Sequence, residues 1–218
     1  MYNWEFETNE KKKTTPKVVP VKTNQDDTGP TPTNGGNDDS SVEFDLNTIY
    51  FYSSVTQQDN FVLNKYLAKL DRDLPIVQRK YKLKTPIPIH FRINSYGGSV
   101  FAAFSTLDYM KQVSCPLYTY IDGCAASAGT IMSVCGDQRF MGENSYMLVH
   151  QLSSTHWGKY QELQDDMKNS DNLMKRIKEI YEEKTKIPKT KMDEILKHDL
   201  WWDAKTCLKY GLVDEILT

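Results

Sequence analysis

The stretch from Pro88 to Gly129 decides how this chain folds. It runs Pro88-Ile-His-Phe-Arg-Ile93-Asn-Ser-Tyr-Gly97-Gly98-Ser-Val100, continues to Pro116-Leu-Tyr-Thr-Tyr-Ile121, and closes with Gly123-Cys-Ala-Ala-Ser127-Ala-Gly129. Ile89, Phe91 and Ile93 alternate with His90 and Arg92, the period of two expected of a strand with one face buried. Ser95-Tyr-Gly97-Gly98 is then a tight turn, and Val100 to Val113 follows at helical spacing. Pro116 to Ile121 is rich in β-branched and aromatic residues and makes a further strand, and Ala125 to Cys135 is expected to be a helix of small residues. Strands that alternate with helices of ten or more residues imply βαβ units with right-handed crossovers, so the fold class is α/β.

Working outward, Asn47 to Tyr52 is a strand and Thr56 an N-cap. Phe61, Leu63, Tyr66, Leu67 and Leu70 follow as the apolar positions of a helix. Downstream, Arg139 to Met141 and Tyr146 to Val149 are short strands. Gln161 to Lys186 is a long amphipathic helix on Leu163, Met167, Leu173, Met174, Ile177 and Ile180, stopped by Ile187-Pro188. Lys191 to Lys197 is another helix. Ala204 to Tyr210 is the last, closed by Gly211 as its C′ residue, and Leu212-Val213 begins a final strand.

Residues 1–41 have a different composition from the rest. Asn24 to Ser41 is dominated by Asn, Asp, Thr, Gly and Pro, which cannot bury enough apolar surface to offset chain entropy. The expected organisation is a disordered tail over 1–41 and one folded domain over 42–218. Tyr2, Trp4 and Phe6 at the far end of the tail have the composition of a docking peptide, and equally of an unstructured end. A formal net charge of −2 offers no basic face for nucleic acid. None of Cys115, Cys124, Cys135 and Cys207 forms a C-x-x-C pair, which argues against a metal ribbon or a redox motif, and three of them lie in core-like segments. This usage suits a reducing, cytoplasmic compartment. No run of apolar residues is long enough to span a bilayer, and no phosphate-binding loop or other cofactor motif is visible.

Several segments carry chemistry. Ser127 follows a strand, opens a helix and is ringed by small residues, so a substrate backbone can approach and helix N–H groups can meet a developing oxyanion. On its own the same segment equally describes tight helix packing with a serine cap. The amides of Gly98 and Ala128 are candidates for the two halves of an oxyanion hole, although Gly-Gly after a strand is more often only a turn. His150 ends an apolar strand. A lone histidine there is more often structural, but a hydroxyl nucleophile needs a base that titrates near neutrality, and His90, His156 and His198 are less well placed. A carboxylate must orient that histidine, and Asp199, Asp203, Asp193 and Asp137 all compete.

Taken together, Ile93-Asn-Ser-x-Gly-Gly98, Gly123-x-Ala-Ala-Ser127-x-Gly129, Met147-x-x-His150-Gln151, Asp199 and Tyr210-Gly-Leu-Val-Asp214 resemble the Clp protease proteolytic subunit in order and spacing over about Thr48 to Leu217. The resemblance implies a crotonase-like fold of stacked βαβ units. It implies Ser127 as nucleophile, His150 as base, Asp199 as the orienting acid, and Gly98 and Ala128 as oxyanion donors. It further implies a homo-oligomer of heptameric rings that hydrolyses proteins or peptides, fed by an ATPase unfoldase, with Leu152 to Lys168 as the handle between rings.

The chain departs from the pattern at Tyr96 and Leu152, where prolines are usual, at Ser153 to Gly158, where glycines are usual, and at His198, where an arginine is usual. His90 and Arg92 stand where aromatic residues commonly form the ATPase-docking pocket, and an unpaired charge there would repel an apolar anchor. Other readings are a crotonase-type acyl-CoA enzyme, a non-catalytic ring or scaffold subunit, a viral-type maturation protease, and a serine–lysine dyad through Lys159.

Overall fold

The computed structural model describes residues 41–218. The expectations for residues 1–40, a disordered tail and an aromatic docking peptide, fall outside the described residues. The remainder is a mixed eight-stranded sheet with six helices. This is the βαβ-built α/β architecture that the alternating pattern implies.

The main path of the sheet runs β1 (Val42–Asp45), β2 (Thr48–Phe51), β3 (Ile89–Ser95), β4 (Leu117–Ala126), β5 (Gln138–Gly142) and β8 (Glu215–Leu217). β1 meets β2 antiparallel, and the other neighbours on the path are parallel. β4 is the spine. Tyr118 to Ile121 pair with β5, whereas Cys124 to Ala126 pair with β6 (Tyr146–Leu148), which in turn pairs antiparallel with β7 (Trp201–Asp203). The strand therefore changes partner midway, at Gly123, whose φ of 77° favours glycine. This switch explains one departure from expectation. Ala125 and Ala126 favour a helix by composition, yet the ladder to β6 claims them for β4, and α3 is only Ala128–Ser133.

α1 (Gln57–Lys80) starts where Thr56 Oγ1 accepts the Asp59 amide, as its N-cap reading requires. Its buried stripe is Asn60, Leu63, Asn64, Leu67, Leu70 and Leu74, whereas Phe61 is 58% exposed. Phe61 is thus not a core residue. Asn60 takes the inward position because its Nδ2 donates to Ala102 O and Thr106 Oγ1 on α2 (Val100–Gln112). α4 (Tyr160–Lys184) buries Ile177, Ile180 and Tyr181 but leaves Leu163 and Met167 exposed, so only its C-terminal part packs on the core. α5 (Lys189–Leu196) and α6 (Ala204–Lys209) follow. Gly211, at φ 67°, ends α6: its amide donates to Leu208 O and the Leu212 amide to Cys207 O, the paired bonds of a Schellman turn. Leu212 and Val213 are buried but precede the last strand rather than opening it. Cys115 and Cys207 are buried, and Cys124 and Cys135 are half-buried.

The outward face of β3 and β4 alters the expectation for Arg92. Its guanidinium is not an unpaired charge. Arg92 Nε and Nη2 donate to Asp122 at 2.7 and 2.6 Å, Tyr52 OH donates to the same carboxylate, and the guanidinium lies over the Tyr120 ring. His90 Nδ1 and Tyr120 OH share a 2.8 Å hydrogen bond. Among the described residues no helix is long and apolar enough to cross a membrane.

Candidate active site

The site assembles where β4 ends. Ser127 is the first residue past the strand and the N-cap of α3, with φ 53° and ψ −122°. That conformation is costly for any residue with a Cβ, about 1–3 kcal/mol, and persists only where the surroundings hold it. Here the Ser127 amide donates to Leu148 O at 3.0 Å, tying it to β6, and its carbonyl accepts the Thr130 amide at 3.0 Å. A sharp strand-to-helix turn of this kind lifts the side chain clear of the sheet.

The turn after β3 packs directly against it. A Cβ on Gly97 would sit 2.6 Å from Ala126 O and 2.7 Å from the Ser127 Cβ, and one on Gly98 would sit 2.4 Å from Val55 O. Both glycines also have positive φ, 91° and 145°. Only glycine lets these two chain segments come so close. Val55 and Gly98 form a parallel bridge made by the Val55 amide to Gly97 O and the Ser99 amide to Val55 O, which leaves the Gly98 amide outside the bridge. Ala128 is the first residue of α3, where helix amides have no intrahelical acceptor.

His150 follows β6, and its Nδ1 lies 2.9 Å from Asp199 Oδ1. The side chain of His150 is mostly buried, while that of Asp199 is 76% exposed on the segment between α5 and β7. The Nε2 of His150 is buried and has no hydrogen-bond partner among the described residues, Ser127 Oγ included. Ser127, His150, Gly98 and Ala128 nevertheless line one cavity of about 240 Å³, together with Tyr96 and Gln151. Val100, Ile131, Ile177 and Tyr181 make its apolar walls. A larger groove of about 910 Å³ lies between α1 and α2, lined by Phe61, Lys65, Phe101 and Tyr109, and holds no nucleophile with a base.

The four competing aspartates separate cleanly. Asp203 caps α6 by accepting the Thr206 amide, Asp193 pairs with Lys178, and Asp137 accepts the Leu117 amide. Asp199 is the one bonded to His150. Of the other histidines, His156 pairs with Asp166 and His198 with Glu194. Lys159, the dyad alternative, sits exposed at the start of α4 and is not among the residues lining the cavity. Two residues bonded behind Ser127, Thr130 and Tyr181, are not singled out by the sequence reading. Tyr181 was signalled faintly, as a phenol directly after Ile180 in the apolar stripe of α4.

Comparison with known proteins places the chain in a family. Residues 76–218 match the Clp protease family. The chain is 34% identical over 134 residues to the ATP-dependent Clp protease proteolytic subunit 1 of Chlamydia trachomatis serovar D, covering 60% of this chain and 70% of that protein. It is 33% identical over 141 residues to the protein of the same name from Chlamydia pneumoniae, 62% of this chain and 74% of that one. It is also 30% identical over 131 residues to the ATP-dependent Clp protease proteolytic subunit of Deinococcus radiodurans, 59% of this chain and 64% of that one. The motifs, the sheet and these matches converge: the chain belongs to the Clp protease family and is a peptidase of that kind.

Proposed function

We propose that this chain is a serine endopeptidase in which Ser127 is the nucleophile, His150 the general base and Asp199 the group that orients the histidine. The observation that carries the reading is the His150 Nδ1···Asp199 Oδ1 hydrogen bond at 2.9 Å, made by a histidine that lines the same cavity as Ser127. A carboxylate on Nδ1 keeps that nitrogen protonated and leaves Nε2 as the acceptor, the tautomer a general base requires. In the reaction Ser127 Oγ, brought within hydrogen-bond reach of that free Nε2, attacks the peptide carbonyl and gives its proton to His150. The Gly98 and Ala128 amides receive the oxyanion, and the leaving amine takes the proton from His150. Water, deprotonated by the same imidazole, then releases the acyl group.

The proposal extends to the setting. The peptidase domain spans 42–218, subunits assemble into heptameric rings, an ATPase unfoldase delivers protein substrates, and the work is done in the cytoplasm. Of this setting, the relatives' name, ATP-dependent proteolytic subunit, supports the ATPase partner. The test is labelling with a fluorophosphonate probe alongside cleavage of casein and short peptides. Wild type should label and cleave, Ser127→Ala should do neither, and His150→Ala should do both far more slowly. Equal labelling of wild type and Ser127→Ala, or a fully active His150→Ala variant, would overturn the assignment.

A further inference from the structure

Behind the nucleophile lies a pair of buried hydroxyls that the peptidase chemistry above does not use. Thr130 Oγ1 donates to the carbonyl of Ser127 at 2.6 Å, and Thr130 Oγ1 and Tyr181 OH are hydrogen-bonded to each other at 2.5 Å. The direction of both bonds follows from proton count. A carbonyl can only accept, so the single hydroxyl proton of Thr130 goes to Ser127 O, and Tyr181 must donate to Thr130. Thr130 is 0% and Tyr181 1% exposed, so water does not substitute for either partner. Burial also pushes the Tyr181 phenol well above its ordinary value, which keeps it a donor wherever the protein is folded.

A threonine that bonds back to a carbonyl three residues earlier is a common local habit in helices. What is not local is Tyr181, which arrives from α4, 51 residues away. A phenylalanine would fill the same volume and wall the same cavity with no polar atom to satisfy. The phenol instead fixes the rotor of Thr130, so that its proton stays aimed at the carbonyl of the one non-glycine residue of the site whose backbone has a positive φ.

We propose that Thr130 and Tyr181 are positioning residues for the reaction: a chain of two hydroxyls, reaching from α4, that clamps the Ser127 carbonyl and so holds the backbone twist that aims the nucleophile into the cavity. This rests on the reading of Ser127 as the nucleophile. Because the clamp acts on the geometry of attack and leaves the cavity walls intact, its loss slows acylation and spares substrate binding.

The experiment measures kcat, KM and the second-order rate of fluorophosphonate labelling for Tyr181→Phe, Thr130→Val, the double variant and Thr130→Ser, with thermal unfolding to confirm each is folded at the assay temperature. Tyr181→Phe and Thr130→Val should each lower kcat and the labelling rate about 10-fold, with KM within about twofold of wild type. The double variant should be no worse than Thr130→Val, since both changes cut one chain, and Thr130→Ser should restore most of the lost rate. Wild-type labelling rates in folded variants, losses that multiply in the double variant, or losses confined to KM would overturn the clamp. If Thr130→Val does not fold, Tyr181→Phe and Thr130→Ser carry the test. The Ser127→Ala control separates the two readings. A control that still labels removes the nucleophile assignment and the clamp with it, whereas a silent control beside an unimpaired Tyr181→Phe removes the clamp alone.

Discussion

Ser127 enters the cavity from a strand end whose amide, carbonyl and facing turn are all bonded to or pressed against buried main chain, whereas Asp199 enters from an exposed segment and reaches His150 through one hydrogen bond. The environments differ as much as the bonding. Thr130 and Tyr181 behind the serine are out of contact with water, while 76% of the Asp199 side chain faces it. A hydrogen bond in a dry, low-dielectric place is harder to break, because a broken partner has nothing to replace it. One in water competes with the solvent and is screened by salt. The comparison teaches that the Ser127 half of this site, the proposed nucleophile, is set by the fold, and the histidine–aspartate half by a contact that solvent can loosen.

That contrast can be broken at either end. The largest effect is expected on the rigid side. Gly98→Ala places a methyl group 2.4 Å from Val55 O and should cost about 10²-fold in peptide cleavage through displacement of the amide proposed to receive the oxyanion, measured as kcat/KM. A Gly98→Ala enzyme with near-wild-type cleavage would show that the turn is not held as tightly as its packing implies. Asp199→Ala should be milder than Ser127→Ala, about 10-fold to 10²-fold in kcat, because water can enter the exposed position that the carboxylate leaves. The loss should shrink as salt rises, since salt weakens the wild-type pair; a loss as complete as that of Ser127→Ala would erase the distinction between the two halves.

The smallest effect is a control remote from both halves. Arg139 grips Asp214 through two side-chain bonds, 2.9 and 2.7 Å, and this pairing holds the Asp214 carboxyl below the ordinary carboxylate range. The folded state therefore takes up that proton less readily than the unfolded chain. The stabilisation is complete at neutral pH and is lost as pH falls from the ordinary carboxylate range through the lower native value of Asp214. Asp214→Asn should cost about 0.5–1 kcal/mol at pH 7, allowing for its half-exposed position, with unchanged kcat. The gap in urea midpoint between variant and wild type should close as the solution is acidified, and a gap that widens in acid would contradict the pairing.

Much of this arrangement was legible in the sequence, and unevenly so. The alternation of Ile89, Phe91 and Ile93 and the N-cap at Thr56 came through because each is a local rule acting on a long element. β7 went unseen because Trp201–Asp203 has no pattern of its own and becomes a strand only when β6 offers it an edge. The helical reading of Ala125 and Ala126 failed for the same reason, since ladder partners further along the chain, Met147 and Leu148, outweigh local preference. Phe61 misled because hydrophobicity ranks it above Asn60, while the bonds available to a buried amide at Ala102 and Thr106 invert that order. At the site, residue types narrowed the serine and the histidine but left four aspartates equal; only the family resemblance singled out Asp199, the one that the fold brings to His150. The Tyr181–Thr130 pair was out of reach, because nothing near Thr130 in the sequence announces a phenol from α4.

The crowding at Gly97 has a genetic consequence. The atoms that a Cβ there would strike are Ala126 O, the Ser127 Cβ and the Ala128 N, two main-chain atoms and a stub fixed to the main chain. No trimming of a neighbouring side chain can make room for it. A search for second-site suppressors of Gly97→Ala should therefore come back without compensating side-chain changes, and such a position drifts under mutation only if two whole strands drift with it.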